Sequence, residues 1–319
     1  MIPRTRTANL NPALAALILA GCGCLAQQPG QRSFPSPEAA AAALVQAASD
    51  NDEKAMLALF GPDGKALVHS GDAAEDAAAR ANFVQRYREM HRLVAEPGRT
   101  VLTIGAHNWP TPIPLVSRGG VWFFDTGAGR QEILSRRVGR NELATIRVCQ
   151  ELVAAQKEFF AGHQTYAPTI ASRPGQQDGL FWPAAEGQPP SPIGPLIAAA
   201  ATRGREGEAT PYCGYYYLSL ARQGERAAGG ARAFQVAGRM TGGFAFVAFP
   251  AVYRSTGVMT FLVNQDGVVW EKNLGPRTAI RARGILAYNP DSSWRKVEFS
   301  AGPAAPPPAP GTPAKSAGR

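Results

Sequence analysis

Apolar residues recur at helical spacing in the first part of the chain and at strand spacing in the last part. The helical spacing predicts three N-terminal helices, at 37–49, 53–60 and 73–92. Shorter runs containing Val, Ile, Phe and Trp predict strands, at 100–104, 113–116 and 120–124. Because the helices come first and a small sheet follows, we predict an N-terminal α+β domain over residues 34–140.

A second domain is predicted over residues 141–300. It begins with the longest helical pattern of the chain, from Asn141 to Ala161, whose apolar stripe includes Cys149. Later apolar runs predict strands, at 213–220, 234–236, 243–249, 257–263 and 268–272. The dipeptide Asp266-Gly267 indicates a tight hairpin between the last two, because glycine accepts positive φ. We therefore expect a long helix packed on an antiparallel β-meander, which is similar to the soluble part of a pilin as an analogy of fold.

The N-terminal residues 1–21 have the zones of an export signal. Arg4 and Arg6 precede an apolar segment from Leu10 to Ala20, and small residues lead to Cys22. A membrane-spanning helix needs roughly 20 apolar residues, about twice the length of this segment. We therefore predict a signal peptide that is removed rather than a permanent membrane span.

The residues Leu19-Ala20-Gly21-Cys22 resemble the lipobox of bacterial lipoproteins, in which the cysteine is lipidated after export. The resemblance implies lipidation of Cys22, attachment to a membrane, and sorting to the periplasmic face of the outer membrane, because Gly23 rather than Asp follows. An ordinary cleaved signal followed by Cys22 and Cys24 is the alternative. The polar residues 22–33 would form a tether, and residues 301–319, rich in Pro and Ala, predict a disordered tail.

The formal net charge is +9, from 33 basic and 24 acidic residues, and most basic residues are arginines scattered along the chain. The densest groupings are Arg136, Arg137 and Arg140, and then Arg277, Arg281 and Arg283. An exported chain meets no nucleic acid, and no basic motif with interleaved aromatics is present, so we expect no nucleic-acid partner. The groupings indicate solvated faces or contacts with anionic lipid or cell-wall polymer.

Motifs for catalysis, metals and cofactors are absent from the sequence. The histidines are isolated from one another, at 69, 91, 107 and 163, and no phosphate-binding or nucleophile-elbow motif occurs. We therefore expect no metal and no cofactor. Cys149 and Cys213 are the only cysteines outside the N-terminal segment, so an oxidising compartment permits one disulfide; two free thiols are the alternative.

The long connection 162–211 is rich in Gly and Pro and is the best candidate for a functional surface. Its aromatic residues Tyr166, Phe181 and Trp182 would form a binding loop for sugar or peptide, or else pack this loop onto the core. His163 and Asp178 are weak acid/base candidates for an enzyme, and the sequence offers no stronger catalytic pair.

Seven short segments resemble a bacterial family known as domain of unknown function 2950. They are FPSPEA (34–39), AAQKEF (154–159), DGLFW (178–182), SPIGP (191–195), GYY (214–216), MTGGF (240–244) and GVMTF (257–261). The resemblance spans roughly 34–298 and implies an exported protein of the bacterial envelope, with no catalytic residues to transfer. We therefore expect a non-enzymatic binding or structural component of the cell envelope, whose partner is an envelope protein or cell-wall polymer. The alternative is an envelope hydrolase acting on glycan or peptide.

Overall fold

The computed structural model describes residues 27–69, 72–184, 186–201 and 209–298. The predicted signal peptide, Cys22 with its lipobox, and the C-terminal tail lie outside these residues. Contacts divide the chain into two compact units, one up to Ile133 and one from Leu134 onward. Within the described part of the chain, no helix combines the length and apolar character that crossing a membrane requires.

The first unit consists of helices followed by a small antiparallel sheet. The helices are α1 (Pro37–Ser49), α2 (Glu53–Phe60), α3 (Lys65–Val68) and α4 (Ala73–Glu89). The strands are β1 (His91–Glu96), β2 (Arg99–Ile104), β3 (Trp109–Pro110), β4 (Leu115–Arg118) and β5 (Val121–Phe124). The order in the sheet is β1-β2-β4-β5, and β3 pairs with β2. Its main core joins apolar residues of α1, α2, β4 and β5, including Leu44, Leu59, Leu115 and Phe124.

The helix α4 ends before the sequence predicted, because β1 takes up the residues beyond Glu89. Ser36 and Asp72 cap α1 and α4 by accepting backbone N–H groups, as expected for helix starts. At the other end of α4, Met90 is extended, and β1 pairs with β2 along its whole length. Gly98 at φ 77° lies in the turn between the two strands. Pairing in this hairpin therefore competes with extension of α4.

The long helix α5 (Thr126–His163) begins before the division and ends in the second unit. It starts well before Asn141, where the sequence placed it. The Asp125 side chain accepts a hydrogen bond from Ala128 N, which satisfies one of the free amides at the helix start. Gly129 allows close packing there, because a Cβ would lie 2.7 Å from the Ile113 side chain.

The second unit is built on a five-stranded antiparallel sheet with the order β16-β15-β14-β13-β8. These strands are β8 (Tyr215–Leu220), β13 (Ala245–Pro250), β14 (Met259–Asn264), β15 (Trp270–Asn273) and β16 (Arg295–Lys296). Short pairs add β6 (Thr169–Ala171), β7 (Gly179–Phe181), β9 (Arg222–Gln223), β10 (Arg232–Ala233), β11 (Gln235–Val236) and β12 (Arg239–Met240). Two short helices are α6 (Pro195–Ala199) and α7 (Thr278–Arg283).

Both faces of this sheet are covered, and strand alternation decides which side chains meet which layer. Residues of α5 such as Leu152 and Phe159 pack with Phe246 and Phe261 on one face. Ala282 of α7 packs with the opposite face of the same strands. All six residues of β13 are buried, as expected for a central strand. The predicted α+β class, with a long helix on an antiparallel meander, is therefore confirmed.

Candidate functional site

An open groove lies in the second unit where β15 and the turn before β16 meet. We call it the Trp270–Trp294 groove; its lining residues are Arg226, Trp270, Pro290, Asp291, Ser292, Ser293 and Trp294. Its volume is about 760 Å³, and it is open to solvent. Aromatic, charged and hydroxyl side chains therefore converge on one concave surface.

Trp270 is fixed by the sheet and by the core beneath it. Its backbone pairs with Leu262 on β14 and with Lys296 on β16. Its indole packs partly against the core cluster that contains Tyr288. Burial raises the pKa of the Tyr288 hydroxyl to about 12, so this hydroxyl stays protonated at neutral pH. The indole of Trp270 is therefore held on one side by the core while its side chain stays half-buried.

The turn Asp291–Trp294 positions the second indole. Asp291 accepts hydrogen bonds from the Ser293 side chain and from Ser293 N at 2.9 Å, and its carbonyl oxygen accepts from Trp294 N at 2.9 Å. The hydrogen bonds from Ser293 lower the pKa of the Asp291 carboxyl, so it is ionised at neutral pH. Lys272 Nζ lies 5.8 Å from the centroid of the Trp294 ring. The turn is thus ordered by its own polar contacts before any ligand arrives.

Charged groups at the rim of the groove remain accessible. Arg226 Nη1 lies 3.1 Å from Asp291 Oδ2, but the side chain of Arg226 is 67% exposed. Exposed ion pairs of this kind contribute only about 0–1 kcal/mol, so a ligand can compete for either partner. Lys272 Nζ donates a hydrogen bond of 2.6 Å to Ser293 Oγ. The rim therefore offers both hydrogen-bond donors and an anionic acceptor.

The aromatic residues that the sequence placed in a binding loop pack inward. Tyr166 is half-buried, and its ring centroid lies 4.6 Å from Phe160 and 4.8 Å from Phe244. Trp182 is only 7% exposed, and Phe181 packs against the same core. The Trp182 indole donates a 3.4 Å hydrogen bond to the Pro189 carbonyl. These side chains hold the connection onto the core, because their apolar area is better removed from water.

The weak acid/base candidates are each held by local contacts. The His163 ring stacks on Phe159 at 4.0 Å between centroids, and its Nδ1 lies 2.9 Å from the Phe159 carbonyl oxygen. Burial acts to raise the pKa of Asp178, but hydrogen bonds and the charge of Arg173 outweigh it and lower that pKa. Across the described ranges, no hydrogen bond or ion pair joins His163 to Asp178. The structure therefore does not assemble them into a catalytic pair.

The cysteines of the second unit are free thiols, Cys149 buried and Cys213 half-buried, so the disulfide is absent from the structure. Burial raises the pKa of the Cys149 thiol to about 12. A thiol in this state is a poor nucleophile, which fits a packing role on the buried face of α5. Among the residues that the structure describes, no group of three His, Cys, Asp or Glu side chains could hold a metal ion.

None of the residues that line the Trp270–Trp294 groove was among the predicted site residues. The signal was the sequence Asp291-Ser-Ser-Trp294, in which a polar turn places Trp at its end. Only the fold shows that Arg226 and Trp270 lie beside this turn.

Comparisons with known proteins identify a family but no individual similar protein. The family model described as "Protein of unknown function (DUF2950)" matches residues 31–297. No curated protein matches the chain, and no solved structure matches it either. The match covers both compact units, including α5, the central sheet and the Trp270–Trp294 groove. The chain therefore belongs to the DUF2950 family.

Proposed function

We propose that the protein is a non-enzymatic component of the bacterial cell envelope that binds a saccharide chain of the cell wall in the Trp270–Trp294 groove. A lipid anchor at Cys22 would hold it on the periplasmic face of the outer membrane, within reach of that wall. The observation that carries the proposal is the pairing of two half-buried indoles with polar side chains in one groove.

The chemistry of the groove fits a sugar. A pyranose ring has an apolar C–H face and a rim of hydroxyl groups, so it needs an aromatic surface with donors and acceptors beside it. Trp270 and Trp294 supply the aromatic surfaces. The Arg226 guanidinium can donate hydrogen bonds to sugar hydroxyl groups, and the Asp291 carboxylate can accept hydrogen bonds from them. Because both indoles already pack partly against the core, less side-chain entropy is lost when a ligand binds.

The test is co-sedimentation of the purified protein with insoluble peptidoglycan. We expect Trp294→Ala to weaken binding about tenfold, equivalent to about 1.4 kcal/mol for one lost stacking contact. The matched control is Trp109→Ala, since Trp109 is 45% exposed but lies in the first unit. A soluble chito-oligosaccharide should compete. The proposal is refuted if the parent protein does not sediment, or if both variants bind like the parent.

A hydrolase acting on the same polymer is the second candidate. One observation favours it: Lys272 Nζ lies 2.6 Å from the Ser293 hydroxyl, whose proton is directed to Asp291. If the groove is hydrolytic, soluble fragments should accumulate with the parent protein and not with Ser293→Ala. Binding without fragments supports the non-enzymatic proposal.

The lipid anchor has its own test. Cys22→Ala should abolish labelling of the protein by a palmitate analogue in cells and should release it from the membrane fraction. The adjacent Cys24→Ala is the control and should leave labelling unchanged. Labelling that survives Cys22→Ala would contradict lipidation at this residue.

A further inference from the structure

The segment 277–286 carries exposed apolar side chains among arginines. We call it the α7 patch; its residues are Arg277, Ile280, Arg281, Arg283 and Leu286. Ile280 is 71% exposed and Leu286 is 55% exposed. Two large apolar side chains that face water within one short basic segment are typical of a surface that meets another apolar phase.

The fold fixes which side of α7 faces outward. Thr278 and Ala282 are both fully buried, and Ala282 packs in the core with Phe249 and Tyr288. Because these two positions are one helical turn apart, they lie on one face of α7, and Ala279 and Ile285 also pack partly against this core. Ile280, Arg281 and Arg283 are exposed on the other side. Ile280 is thus held on the outer side by the packing of the inner side.

The charge of the α7 patch is entirely positive. Between Lys272 and Asp291 the chain has three arginines, at 277, 281 and 283, and no acidic residue. In the part of the chain that the structure describes, no carboxylate forms an ion pair with any of the three. Arg281 Nη1 donates a 2.6 Å hydrogen bond to the Leu274 carbonyl, and the Arg283 guanidinium lies 5.6 Å from the Phe249 ring centroid. These contacts orient the side chains and leave other N–H donors available.

We propose that the α7 patch docks on an anionic phospholipid bilayer, with Ile280 and Leu286 at the headgroup boundary and the arginines on lipid phosphates. A basic segment with exposed apolar side chains is the combination that binds such surfaces. An anionic polymer would complement the arginines but would leave the apolar side chains in water. The proposal is independent of the saccharide groove, and docking would orient the protein against the membrane to which a lipid anchor ties it.

The test is vesicle co-sedimentation with the chain from residue 22 onward carrying Cys22→Ala, so that no lipid anchor contributes. The protein should bind vesicles of equal amounts of phosphatidylglycerol and phosphatidylcholine, and binding should weaken as salt is raised. It should not bind vesicles of phosphatidylcholine alone. Arg277→Gln and Arg283→Gln should each weaken binding about fivefold, the contribution of one basic residue near an anionic surface.

Ile280→Ser separates a membrane from a soluble polyanion. It should weaken vesicle binding and leave any binding to dextran sulfate unchanged, because only a bilayer takes up the apolar side chain. Matched controls in the same unit are Arg222→Gln and Val236→Ser, since Arg222 is exposed and Val236 is 54% exposed. Trp294→Ala should bind vesicles like the parent, which distinguishes failure of this proposal from failure of the saccharide proposal. Equal binding of parent, Arg277→Gln and Ile280→Ser to the anionic vesicles would overturn the proposal.

Discussion

Gln156 holds the start of the long connection onto the helix that precedes it. Its Nε2 donates to the Ala167 carbonyl and its Oε1 accepts from Ala167 N, both at 2.8 Å. Gln156 and Ala167 are each 1% exposed, so water cannot replace either bond. Gln156→Met keeps the length of the side chain but leaves both backbone groups of Ala167 without a partner. At about 1–3 kcal/mol for each buried group, we expect the free energy of unfolding to fall by about 2–6 kcal/mol.

Gln156→Glu tests the same two hydrogen bonds to Ala167 through the pH dependence of stability. A protonated carboxyl can donate to the Ala167 carbonyl, whereas a carboxylate cannot, and burial disfavours the charged form. The pKa of the introduced carboxyl is therefore raised in the folded state above its unfolded value of about 4.3. The contribution of the protonated carboxyl to the free energy of unfolding is fully present below that unfolded value, and it is lost as pH rises through the raised folded pKa.

The assay is urea unfolding followed by tryptophan fluorescence, at about pH 4 and about pH 8, for the parent and both variants. Gln156→Glu should approach the parent at the lower pH and lose stability at the higher pH. Gln156→Met should be destabilised by the same amount at both. The reasoning is refuted if Gln156→Met lies within about 0.5 kcal/mol of the parent, or if Gln156→Glu shows no additional pH dependence.

Two further predictions concern the second unit. Gly257→Ala should destabilise this unit by about 1–3 kcal/mol in urea unfolding, because the added Cβ overlaps the Tyr215 hydroxyl. The control Gly139→Ala, at a helical site with open space, should stabilise it by about 0.5–1 kcal/mol, and equal effects of the two variants would contradict this packing. In the folded chain with reductant removed, a thiol reagent should modify half-buried Cys213 before buried Cys149, because burial raises the pKa of the Cys149 thiol to about 12. If both cysteines react only after reduction, they form the disulfide instead.

The sequence located the central strands closely. The predicted runs 213–220, 243–249 and 257–263 correspond to Tyr215–Leu220, Ala245–Pro250 and Met259–Asn264. Their apolar character, and the turn that Gly267 allows at φ 75°, are local properties that a single stretch of chain carries. Short connections also make β13 and β14, and β14 and β15, neighbours. The pairing of β8 with β13 does not follow in this way, because β9 to β12 lie between them in the chain.

Other predictions failed or stayed open because they depend on contacts between distant residues. The first turn of α5 packs closely against Ile113 at Gly129, and β1 pairs with β2 along its whole length. The aromatic residue Trp182 carries the same local signal whether it binds a ligand or packs inward. Its 7% exposure was decided by the core onto which the connection folds.

The sequence by itself determined the α+β class, the long helix and the antiparallel meander, since periodicity and turn residues encode these locally. It also indicated the family, through short segments such as the one that contains Gln156. The tertiary structure alone decided which polar and aromatic side chains come together. Arg226, Trp270 and Trp294 belong to different segments of the chain, and they line one groove because β15 and the turn before β16 meet at one edge of the open five-stranded sheet, beside Arg226.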